Sequence, residues 1–64
     1  MAARYEVRES DDGQWYFVLL AANGEIVATS ELYTRAEDAQ RGIEAAIRAM
    51  LEAIDTLVTN SEEA

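Results

Sequence analysis

The chain has no cysteine, no histidine and no lysine, and these three absences remove much of common protein chemistry before any residue is placed in space. Without Cys there is no disulfide staple and no thiolate nucleophile; without His the usual general base and the commonest zinc ligand are missing; without Lys there is no Schiff-base amine. Carboxylates, hydroxyls and Arg remain. The longest mostly apolar run without a charge, Trp15 to Ala22, is far short of the roughly 20 residues that cross a bilayer. Met1-Ala2-Ala3-Arg4 lacks the charged-then-apolar start of a signal peptide. These readings predict a cytoplasmic protein with no membrane partner, and the lack of Cys agrees with a reducing compartment. No motif implies a cofactor or a metal.

Basic residues are few as well. Thirteen acidic side chains face five basic ones, all Arg (Arg4, Arg8, Arg35, Arg41, Arg48), for a net charge of −8. So acidic a surface repels phosphate backbones and anionic lipid, which argues against a nucleic-acid partner. Size is the next constraint. A 64-residue chain is one domain and buries only about 60% of the surface its unfolded form exposes. Chains this small usually lean on disulfides, a metal or oligomerisation, and the first two are disfavoured here, so a homodimer is expected.

What is present centres on Asn23-Gly24, a strong hairpin signal between two β-prone runs. Arg4-Tyr5-Glu6-Val7-Arg8-Glu9 alternates like a half-buried strand. Ser10-Asp11-Asp12-Gly13 reads as a turn rather than a hard-cation site, because no third carboxylate stands at a calcium-loop spacing. The run Gln14 to Ala21 is apolar on both faces, with Trp15, Phe17, Leu19 and Ala21 on one and Tyr16, Val18 and Leu20 on the other. Glu25 to Glu31 pairs back as a third strand. A two-residue loop would set Ala22 opposite Glu25, and a three-residue loop with a bulge would swap the faces; both registers stay open.

Thr34, with Glu37 three residues on, has the form of a capping box opening a helix. From there Ala36, Ala39, Ile43, Ala46, Ile47, Met50, Ile54, Leu57 and Val58 recur at spacings of three and four, with no Pro or Gly after Gly42. Glu37 to Arg41 and Glu44 to Arg48 are favourable i,i+4 pairs. The expectation is therefore an α+β domain over 1–64: a three-stranded antiparallel meander over 3–32, a helix over 34–58, and a frayed acidic tail over 59–64. A helix of that length, about 35 Å, must overhang strands of about 20 to 26 Å. The overhang carries Met50, Leu51, Ile54, Leu57 and Val58. Together with Tyr16, Val18 and Leu20, a face that one β-β-β-α unit leaves without cover, these are the candidate partner-interface residues, for a second copy or for a further protein partner.

The order Trp15, Phe17, Leu19, Ala21, then Asn23-Gly24-Glu25, Ala28-x-Ser30-Glu31-x-Tyr33 and a helical Gly42-Ile43-Glu44 resembles the YegP-like family of small bacterial and archaeal proteins over about Tyr5 to Ala46. The resemblance implies a β-β-β-α unit, occurring as a tandem repeat or as a single copy that pairs with another, with a shared sheet and exchanged C-terminal segments. It brings no established activity. Family members carry Arg or Lys where this chain has Tyr16, Val18 and Leu20, and they break the helix soon after Gly-Ile-Glu in favour of a short final strand. Here the periodicity favours continued helix, and Ile54 to Thr59 is the one candidate for an exchanged strand.

Ser30-Glu31 is the pairing that most invites a catalytic reading. Neighbouring strand residues point to opposite faces, however, so the pair is better read as ending the strand and bonding backbone. Tyr33 reads as packing, and Gly42 as a close approach of helix to sheet. The expected function is thus a non-catalytic homodimeric interaction or structural module. The alternative is a small-molecule binder or enzyme whose pocket forms where two chains meet.

Overall fold

The computed structural model describes residues 2–60. Three strands, β1 (Arg4–Glu9), β2 (Trp15–Leu20) and β3 (Ile26–Thr29), form one antiparallel sheet in the order β1-β2-β3, followed by one helix, α1 (Ala36–Glu52). This is the expected α+β meander-then-helix. In β1 the alternation has its expected effect: Tyr5 and Val7 pair with Leu19 and Phe17, while Arg4, Glu6 and Arg8 pair with Leu20, Val18 and Tyr16 on the opposite face. No helix among the described residues is long and apolar enough to cross a membrane.

Both hairpins are built alike. The Gly13 N–H donates to the Ser10 carbonyl (3.1 Å) while the Ser10 N–H donates to Gln14 (2.7 Å); likewise Gly24 donates to Ala21 (2.9 Å) and Ala21 to Glu25 (2.8 Å). Each is a three-residue loop with glycine last, at φ 87° and 89°, a region costly for any residue bearing a Cβ. Side chains tighten both loops. The Ser10 hydroxyl meets the Asp12 carboxylate, and Asn23 Oδ1 accepts the Glu25 N–H at 3.0 Å. The two registers left open by the sequence are both used. Next to the turn Leu20 faces Ile26, as a three-residue loop demands; an irregularity between Leu19 and Leu20 then skips Val27, so Leu19 faces Ala28 and Val18 faces Thr29, the two-residue-loop register.

β3 ends early because Ser30 changes its mode of pairing. Its N–H still donates to Phe17 (2.9 Å), but the Phe17 N–H donates to the Ser30 hydroxyl (2.9 Å) rather than to a ladder carbonyl. Glu31 and Leu32 then leave the sheet, and Tyr33 rejoins it by two backbone bonds with Trp15, at 2.6 and 2.7 Å.

That bridge holds Tyr33 in the sheet and delays the helix, which corrects the expected capping box. The N-cap is Arg35, extended at φ −137° and ψ 150°, with no side-chain cap. Thr34 therefore lies one position too early to bond the free amides. Arg35 instead approaches the carboxylates of Glu37 (3.7 Å) and Asp38 (4.0 Å), which also suit the positive end of the helix dipole. Arg41 pairs with Asp38 at 3.0 Å, not with Glu37. At the other end α1 stops at Glu52, six residues short of the expected Val58. Apolar periodicity continues, but nothing among the described residues covers it. The last turn has no basic residue, Glu52 and Asp55 sit at the negative end of the dipole, and Thr56, Val58 and Thr59 are β-branched. Ile54 to Thr59 is neither helix nor strand here. Of the expected 59–64 tail, Thr59 and Asn60 are exposed and irregular, and 61–64 lie outside the described residues.

The core sits between β1, β2 and the first half of α1. Phe17 is its centre, edge-on to Tyr5 (ring centroids 5.8 Å) and stacked on Tyr33 (6.5 Å). Ala39 is wholly buried against this cluster's side of the helix. One turn on, a Cβ at Gly42 would strike the Tyr33 hydroxyl, lie 2.8 Å from Tyr33 Cζ and 3.2 Å from Phe17 Cε2. Gly42 thus marks the close approach anticipated for it.

Candidate functional site

The residues singled out as a partner interface divide into two groups with opposite environments. Tyr16 is half-buried, while Val18 and Leu20 are buried to 1% and 3% exposure. That overturns the expectation that a single unit leaves this face without cover. Both stand on the central strand with a cross-strand neighbour on either side, Glu6 and Thr29 for Val18, Arg4 and Ile26 for Leu20. The charged row beside them is tied together: Glu6 accepts from Arg4 and Arg8, each at 2.9 Å. The aliphatic stems of such arginines shield apolar neighbours while their heads stay wet. Those bonds hold the Glu6 carboxyl below its ordinary pKa, Arg8 contributing more than Arg4, and hold Arg8 above its own.

The second group is open to solvent. Met50, Leu51, Ile54, Leu57 and Val58 range from 46% exposed at Met50 to 89% at Leu57. They follow one another in the last turn of α1 and the segment after it. The residue missed by sequence reasoning is Ile47, at 42% exposure one turn before Met50. Its membership of the stripe suggested burial, but the sheet reaches only the first half of the helix. Ile26, Val27 and Leu32 are also exposed, because Val27 is skipped by the ladder and Leu32 bulges out between Ser30 and Tyr33.

No chemistry gathers around either group. The Ser30 hydroxyl accepts from the Phe17 N–H and donates to the Glu31 backbone carbonyl at 2.7 Å, so it bonds backbone and not the Glu31 carboxylate. Tyr33 packs between Phe17 and Gly42. The Asp12 carboxyl lies below its usual value chiefly because the Ser10 hydroxyl bonds it, a turn interaction. Among the described residues no three carboxylates gather as a metal site and no pocket opens.

A family model described as a domain of unknown function, DUF1508, matches residues 10–54. The UPF0339 protein PA0329 of Pseudomonas aeruginosa is 52% identical over 44 residues, which cover 69% of this chain and 40% of that one. The UPF0339 protein YegP of Escherichia coli K12 is 51% identical over 43 residues, 67% of this chain and 39% of that one. The chain thus spans about 40% of the length of the curated relatives it matches. In three dimensions it is similar to a protein from Haloferax volcanii solved by solution NMR, with a TM-score of 0.75 and 30% identity, covering 94% of this chain and 97% of that one.

Proposed function

This chain belongs to the DUF1508 family of domains of unknown function, and from that premise we propose that it is a cytoplasmic, non-catalytic interaction or structural module that works as a homodimer. The observation that carries the reading is the exposed run from Met50 to Val58. Soluble monomers rarely leave so continuous an apolar stretch in water. Full burial of one such side chain is worth about 1.5 to 3 kcal/mol. Scaled by their exposure, the five side chains represent about 5 to 10 kcal/mol per copy. Association costs about 4 to 15 kcal/mol, against about 10 to 20 kcal/mol for covering the run on both copies and half of that for covering it on one.

Three further points support the reading. The YegP-like resemblance implies paired units, either in tandem or from two copies, with C-terminal segments exchanged in some arrangements. The matched stretch takes up about 40% of the curated relatives, which leaves room there for a second unit that a second copy would supply here. The hydroxyls of Ser30 and Tyr33 are spent on structure, Ser30 in the ladder and Tyr33 against the helix.

The test is light scattering at micromolar concentration. The expected mass is about twice the chain's 7.1 kDa, and Ile54→Asp, which sets a charge in the covered run, should return it to the single-chain value with the fold intact. A native mass of one chain would refute the dimer. A dimer whose interface encloses a cleft with titratable groups would instead favour the small-molecule binder.

A further inference from the structure

We infer that Asn23-Gly24, at the tip of the second hairpin, is a site of spontaneous deamidation: the closed loop holds the reaction back, and the isoaspartyl product releases the turn end of β3. Nothing in this depends on a second copy of the chain.

The reacting atoms belong to neighbouring residues. The Gly24 backbone nitrogen attacks Asn23 Cγ, the new N–Cγ bond closes a succinimide ring, the Cγ–Nδ2 bond breaks, and ammonia leaves with the proton lost by Gly24. Water, the one other reactant, then opens the ring. Cleavage at Cγ gives aspartate. Cleavage at the main-chain carbonyl gives isoaspartate, whose backbone runs through the former side chain and is longer by a methylene. Glycine in the second position favours the attack, because no Cβ crowds the approach of its nitrogen.

In the folded chain both groups are occupied. The Gly24 N–H donates to the Ala21 carbonyl at 2.9 Å, and Asn23 Oδ1 accepts the Glu25 N–H at 3.0 Å. The nitrogen must give up its acceptor and the side chain its donor before they meet. Ala22 to Glu25 are all exposed, however, and local opening of such a tip takes far less free energy than unfolding. The reaction is slowed, not abolished.

The first hairpin supplies a comparison within the same molecule. Asp12-Gly13 occupies the same place in a loop closed by the same two kinds of backbone bond, with nearly the same glycine φ. A carboxylate closes the ring readily only in its neutral form, and the Ser10 hydroxyl holds Asp12 ionised. Asp12 therefore persists where Asn23, an amide without charge at any pH, does not. The same loop shows that aspartate fits this position, so the aspartyl product keeps the fold. Isoaspartate has no such precedent.

β3 depends on its turn. All four of its residues are exposed, and it meets β2 at three positions. The rung beside the turn, Leu20 with Ile26, is in the register that a three-residue loop requires. A longer backbone in that loop cannot keep this rung together with both hydrogen bonds that close the turn. Leu20, 3% exposed, then loses its neighbour on that side.

The test ages the full chain at neutral pH in buffer and in urea and follows amide-to-acid conversion by peptide mass spectrometry. Asn60, in the exposed irregular segment after the helix, is the reference. In urea Asn23 should convert ahead of Asn60. In buffer the Asn23 rate should fall by at least about tenfold, the factor set by an opening free energy of about 1.4 kcal/mol, while that of Asn60 changes by less than about twofold. Asp12 should stay unisomerised in buffer over the same time. An equal Asn23 rate in both solvents, conversion no faster than Asn60 in urea, or isomerisation of Asp12 as fast as that of Asn23 would overturn the site. Anion exchange then separates the converted chains by their added charge, and methyl transfer by an L-isoaspartyl methyltransferase identifies isoaspartate. That form should lose exchange protection at the Ala21 N–H, which donates to Glu25, and the strand chemical shifts of Ile26 to Thr29, whereas Asn23→Asp keeps both. Isoaspartyl chains protected like the parent, or an Asn23→Asp chain that has lost its protection, would overturn the release of β3.

Discussion

Gly42→Ala tests how tightly the helix is docked. On an open helix the change should stabilise by about 1 kcal/mol, because Gly is the poorer helix former by that much. Here the added methyl would lie 2.8 Å from Tyr33 Cζ and 3.2 Å from Phe17 Cε2, and closer still to the Tyr33 hydroxyl. Neither ring can yield easily. Tyr33 is anchored to Trp15 by two backbone hydrogen bonds, and Phe17 is 7% exposed with Tyr5 and Tyr33 on it. Overpacking of this kind costs about 1 to 3 kcal/mol, and a contact this short belongs at the upper end. The expected net loss is about 1 to 2 kcal/mol, which lowers Tm by about 4 to 16 °C for a domain of this size. Circular dichroism melts at one fixed protein concentration measure it, since dimerisation makes Tm concentration-dependent. Tyr33→Leu removes both the hydroxyl and Cζ, so in that background Gly42→Ala should cost at least about 0.5 kcal/mol less. A raised Tm for Gly42→Ala, or an equal penalty in both backgrounds, would refute the docking geometry.

Three other outcomes are expected. Ser30→Ala leaves the Phe17 N–H without its acceptor and should cost about 1 to 3 kcal/mol in urea unfolding; an unchanged midpoint would show that water replaces the hydroxyl at no loss. The combined change Tyr16→Arg, Val18→Arg, Leu20→Lys should abolish the cooperative melt, because Val18 and Leu20 are buried and a charge at either position loses its hydration; a folded variant would show this face to be adaptable. Glu6 and Asp12 have carboxyl pKa values depressed in the folded chain. Their contribution is therefore present above the unfolded carboxylate range and lost as pH falls through the folded values, so unfolding titrations below about pH 4.5 should steepen, and the steepening should shrink in Glu6→Gln.

The charged-apolar alternation of Arg4 to Glu9, the glycines closing both turns, the 3.6-residue stripe of the helix and the family resemblance are all local patterns, and each was legible from the residues alone. So was the overhang, since a helix and a strand of given lengths cannot match. What the residues could not reveal was where each element stops and what covers it. The hairpin uses one register beside its turn and the other beyond it, because a bulge at Val27 reconciles loop geometry with sheet pairing. The capping signal at Thr34 lost to a backbone bridge from Tyr33 to Trp15, eighteen positions earlier in the chain. Val18 and Leu20 are buried although their β1 neighbours on that face, Glu6 and Arg4, read in the sequence as a wet row. And the helix ends at Glu52 although its periodicity does not, because propensity says what a segment can form, while the surface it packs against decides how much of it forms.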